Sequence, residues 1–182
     1  MKKLIFSAAL VLSLGLAGCG GDTTKDKPKE NKTEATDSNN NSDFVSDASL
    51  PNDLRVTEYI NKVLGEKTNT DETRVVSVTN DAEGLTVLLN IDENLSMKLI
   101  RTSMLSDARG LFNEISQYEN LSVVTIGYID QYKLDNKTND VRVMSIKFDA
   151  DKIKSIDWDK YLNDNFEKDA KSYFIHPDFK ED

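Results

Sequence analysis

Apolar and polar positions fall into blocks with different periods, and each block predicts an element. Leu4 to Leu16 is one continuous apolar run, whereas no large apolar residue occurs between Gly20 and Asp43. Val56, Ile60, Val63 and Leu64 then step at helical spacing, which predicts a helix over Leu54–Leu64. Asn52 or Asp53 is its candidate cap and Gly65 its stop. Arg74–Thr79 (RVVSVT) is dense in β-branched residues and predicts a strand. Asn80–Gly84 is turn chemistry, and Leu85, Val87, Leu89 and Ile91 alternate as one face of a second strand, closing a hairpin. Met97, Ile100, Met104, Ala108, Leu111, Ile115 and Tyr118 form a single stripe, which predicts a long helix over Leu95–Tyr118. Gly110 interrupts it and predicts a kink or a close contact.

Leu121–Ile129 and Val141–Phe148 read as two more strands, joined by the polar stretch DQYKLDNKTND as a second hairpin. In the aromatic tail, Asp157 is placed to cap a short helix over Trp158–Lys168, and a further turn or helix is expected over Ala170–Phe174. His176-Pro177 should end regular structure. The fold class is therefore α+β in the order α-β-β-α-β-β. Four strands form an antiparallel sheet, helices cover one face, and a short helical tail is stapled on by Trp158, Tyr161, Leu162, Phe166 and Phe174. The two α-β-β units look like an architectural repeat without residue-by-residue identity.

The first two blocks concern address rather than fold. Lys2 and Lys3 precede the apolar run, which is shorter than the roughly 20 residues a membrane span needs and suits the core of a secretory signal. It ends at Leu16-Ala17-Gly18 followed by Cys19, the only cysteine in the chain. This seam resembles the lipobox of bacterial lipoproteins. The resemblance covers residues 1–19 and implies cleavage before Cys19, with diacylglyceryl transfer to its thiol. Two or more acyl chains hold a protein stably at a membrane, at about 0.8 kcal/mol per buried CH₂. The expected organisation is a signal peptide over 1–18, a lipidated cysteine with a disordered polar tether over 19–50, and one domain over 51–182. As a flexible coil, residues 20–50 would reach on the order of 30 Å. Phe44 and Val45 are candidates for docking onto the domain.

Charge and residue inventory narrow the chemistry. With 23 basic and 32 acidic residues the chain carries a net charge of −9, which disfavours nucleic acid as a partner. One histidine, His176, and one cysteine cannot build a Cys/His metal centre, so no metal or other cofactor is expected. Asp135–Asp140 and Asp157–Asp164 both lack the glycine of an EF-hand loop. There is no G-x-S-x-G, no P-loop and no dinucleotide fingerprint, so no catalytic residue is nominated. The aromatic tail is weakly similar to the ends of small lipoproteins of Gram-positive bacteria, which carries no functional residue across. The α-β-β order is similar to that of PepSY modules and β-lactamase-inhibitor-like sheets, a likeness of topology alone.

The sequence thus leads to an expectation of a lipid-anchored lipoprotein on the extracytoplasmic face of the cell membrane. Its domain is expected to be a non-enzymatic binding or interaction module for a protein or small ligand of unspecified identity. Two rivals stand beside it: an exported carboxylate-dependent hydrolase, and a surface exclusion or defence lipoprotein of a mobile element.

Overall fold

The computed structural model describes residues 46–134 and 137–180. Leu16, Ala17, Gly18 and Cys19, with Phe44 and Val45, lie outside the described residues, as do Asp135 and Asn136.

The first helix, α1 (Asn52–Val63), turns Val56 and Ile60 into the core. Its N-cap is Pro51, not Asn52 or Asp53, and no side chain caps it. Proline has no N–H of its own to satisfy, and its φ of −54° already leads into a helix. Strands β1 (Val75–Asp81) and β2 (Gly84–Asn90) form the expected antiparallel hairpin, and the Asp81 carboxylate accepts the Glu83 N–H at 2.8 Å in the turn. Gly84 has φ +121°, and a β carbon there would run into the Val123 carbonyl, so only glycine fits this corner. Helix α2 (Met97–Ile115) is capped by Ser96, whose hydroxyl accepts the Leu99 N–H at 3.3 Å. It runs unbroken through Gly110, where a β carbon would meet Tyr59 Oη at an ordinary 3.7 Å. β3 (Val123–Leu134) and β4 (Lys137–Asp149) complete the second hairpin.

The sheet corrects the expected architecture in two ways. It has five strands in the order β1-β2-β3-β4-β5, and the β2–β3 pairing is parallel. A tight turn reverses the chain, but a 19-residue helix spans about 28 Å and carries it back to the end from which β2 began. The fifth strand, β5 (Ser172–Ile175), lies where a turn or helix was expected, pairing antiparallel with β4 from Met144↔Ile175 to Lys147↔Ser172. A four-residue edge strand has too little pattern of its own and takes its conformation from the ladder it joins.

The register aligns the apolar rows. Leu85, Val87 and Leu89 face Val124, Ile126 and Tyr128, which face Phe148, Ile146 and Met144 in turn. All nine are buried in the core beneath α1 and α2. The opposite rows, including Thr79, Thr86, Thr125, Lys147 and Phe174, add nothing to that core. On that side Leu88 crosses Gly127, where a β carbon would sit 2.7 Å from its Cδ2.

The tail is less helical than its sequence implies. A six-residue α3 (Ala150–Ser155) precedes Trp158, and only Asn163–Asn165 (3-10) and α4 (Phe166–Asp169) are helical in the segment expected as one helix. Trp158, Tyr161 and Phe166 are buried around Phe112 and Phe148, with Trp158 stacked on Phe112 at 5.5 Å. The Trp158 indole N–H donates to the Ile153 carbonyl at 3.0 Å, so the ring also ties down α3. Leu162 and Phe174 were expected among these staples, yet both are exposed. After His176, one further 3-10 turn, Pro177–Phe179, buries Phe179 against the core.

Candidate functional site

Two clusters of buried polar side chains stand out, and they differ in how completely they are satisfied. The first fastens the chain just before α1. Ser46 Oγ–H donates to Glu114 Oε1 at 2.5 Å and accepts from Arg55 Nε at 3.3 Å. Tyr118 Oη–H donates to the same Glu114 oxygen at 3.2 Å, and the Arg55 guanidinium lies 3.9 Å above the Tyr118 ring. Burial, reinforced by the Glu114 charge, pushes the Tyr118 phenol well above its ordinary range. All four residues are buried, and none of their buried polar atoms lacks a partner.

The second cluster lies where β2 ends beside the middle of β3, beneath the first half of α2. Arg74, immediately before β1, is held there by a two-pronged pair with Asp92, Nη1 to Oδ2 at 2.7 Å and Nη2 to Oδ1 at 2.9 Å. Its Nη2 also donates to the carbonyls of Lys67 and Leu64 at 3.1 and 3.3 Å. The Arg74 side chain is only 7% exposed and that of Asp92 31%, so water screens this pair far less than a surface pair. Asp92 Oδ1 further accepts the Asn69 N–H at 2.8 Å, while Asn69 pairs reciprocally with the Glu93 backbone. The β2–α2 connection is thereby fixed to the loop after α1.

Beside this pair is a cavity of about 10 Å³, lined in part by Arg74, Asn90, Ser103, Asp107 and Tyr128. Arg74 Nε, Asn90 Oδ1 and Tyr128 Oη are buried there without a hydrogen-bond partner in the protein. Burial raises the Asp107 carboxyl to about 6, against the pull of Arg74 and with a further push from Asp92. Tyr128 is raised well above the usual phenol range, first by burial and then by Asp107. The Asp107 carboxyl can exchange a proton near neutrality, and the phenol and charge-paired guanidinium beside it can recognise a small polar group.

No residue of this pocket was nominated from the sequence. Arg74 opened one expected strand, Asn90 stood one residue before the end of another, and Tyr128 one residue before the end of a third. The readable signal was Asp107. It stands between Met104 and Leu111 at the same steps as the apolar stripe, a carboxylate on the flank of a buried face.

Of the residues the sequence singled out, His176 is part-exposed, 6.4 Å from the Phe179 ring, and its Nδ1 accepts the Asp178 N–H at 3.4 Å. Asp157 pairs with Lys160 at 2.6 Å on the surface. Among the described residues, no three His, Cys, Asp or Glu side chains converge on a metal-sized site, and no helix is long and apolar enough to cross a membrane. No family model, curated protein or solved structure is detectably similar to the chain.

Proposed function

We propose that the chain is a lipid-anchored extracytoplasmic lipoprotein whose domain is an interaction module for a partner protein. The anchor rests on Leu16-Ala17-Gly18-Cys19 and the polar stretch that follows. The interaction reading is carried by one observation: Leu95 on the β2–α2 connection and Met97 and Leu99 in the first turn of α2 are exposed, and Asp92 and Glu93 pin that connection to the body of the domain. Leu95 is 97% exposed and the other two nearly half. Apolar side chains displayed on a fixed support favour a partner with an apolar surface, because the loop loses little freedom on binding. A photo-crosslinker at Leu95 in membranes is expected to give a discrete adduct that disappears when Met97 and Leu99 are changed to serine. A crosslinker at Thr79 should give none. The same adduct from both positions, or none from either, refutes the interaction reading.

The anchor is tested separately. Cys19→Ala should abolish incorporation of labelled fatty acid and leave the protein unprocessed or released; unchanged labelling refutes it.

Asp107 favours a second reading, the exported hydrolase. A carboxyl near 6 suits general acid–base work. The other carboxylate lining this cavity, Asp92, is committed to Arg74 through both oxygens and is poorly placed to act as its catalytic partner. Turnover in a hydrolase panel that Asp107→Asn abolishes, with the fold intact, would favour the hydrolase over the interaction module.

A further inference from the structure

We propose that the cavity between Arg74, Asn90, Asp107 and Tyr128 is a binding site for a single water molecule that joins these four side chains. The donor and acceptor capacities select the occupant. Arg74 Nε can only donate. Asn90 Nδ2 already donates to the Thr73 carbonyl at 2.8 Å, which leaves its buried Oδ1 as an unused acceptor on a residue that lines the cavity. Tyr128 Oη can do either, and Asp107 accepts once ionised. A cation would leave Arg74 Nε unsatisfied and sit against a guanidinium. An anion would face Asp107 and the Asn90 carbonyl oxygen. An apolar group would satisfy none of them.

Water has two donors and two acceptors, which matches this set, and about 10 Å³ is the room one water requires. The surroundings keep it in place. Leu89, Ile91, Ile100, Ser103 and Met104 complete the lining, and the Asp92–Arg74 pair borders it on the loop side. Such a water would explain how three polar atoms are tolerated inside a sheet–helix interface without direct protein partners.

The test is solution NMR on the full chain at neutral pH, where Asp107 is mostly ionised. The Arg74 Nε–H is expected to show a cross-peak to water, with laboratory-frame and rotating-frame effects of opposite sign, marking a residence time longer than about a nanosecond. Tyr128→Phe deletes one of the four bonds and should at least halve that cross-peak while the Arg74 signal keeps its position. An Arg74 Nε–H that is protected from exchange but shows no water contact overturns the proposal, as does a contact to a bound solute. A cross-peak of unchanged intensity in Tyr128→Phe overturns the four-partner site.

Discussion

The two buried polar clusters use similar residues to opposite effect. Each has an arginine, an acid and a tyrosine. Around Ser46 the acid lies at the centre, so Glu114 collects both hydroxyl donors while Arg55 closes the set on Ser46 and the Tyr118 ring. Around Arg74 the arginine lies at the centre, and it spends its fork on Asp92 and on backbone carbonyls. Asp107 and Tyr128 are left beside it with capacity to spare. A closed network rigidifies, whereas an open one can respond to protons and solvent.

The largest expected effect breaks the closed cluster. Glu114→Ala strands the Ser46 and Tyr118 hydroxyls and removes the one carboxylate of the buried cluster that includes Arg55, and should cost about 3–4 kcal/mol in urea denaturation. A loss below about 1 kcal/mol would mean the cluster does not act as a clamp.

The next effect belongs to the open cluster and has the opposite sign. Asp107 is raised from its ordinary 3.8 to about 6 in the folded protein. The folded state therefore holds this proton more tightly than the unfolded chain. The associated stability is complete below about pH 4 and is lost as pH rises through 6. Asp107→Asn should match the parent near pH 4 and exceed it near pH 8 by on the order of 1–2 kcal/mol. An asparagine variant less stable than the parent near pH 8 would show that the charge is favourably held.

The smallest effect is a matched pair. Tyr118→Phe removes a hydroxyl that donates to Glu114 and should cost about 1–2 kcal/mol. Tyr128→Phe removes one with no protein partner and should cost less than about 0.5 kcal/mol. Equal costs would erase the distinction between the clusters.

How much of this was legible follows from where each element gets its instructions. The β1–β2 turn and the α2 stripe are written locally, and both occur within two or three residues of the expected bounds. Parallel pairing of β2 and β3 is a property of the crossover, so no residue in either strand announces it. β5 depends on β4, and the tail's aromatics read as a helix because their spacing serves packing on Phe112 and Phe148 instead. The pocket was hidden for the same reason. Arg74, Asn90, Asp107 and Tyr128 come from four segments, and each looks ordinary within its own. Only register and packing bring them together.

The position of Ser46 has a mechanical consequence. Within the described residues, a pull from the N-terminal side first meets Ser46, whose hydroxyl is fastened to Glu114 near the far end of α2. That bond ties residues 68 positions apart, so the load passes directly into the helix that roofs the sheet. The edge strand β1 is spared, and a strand peeled from an edge gives way one hydrogen bond at a time. Traction would instead have to break the whole Ser46–Arg55–Glu114–Tyr118 knot before it could unwind α1.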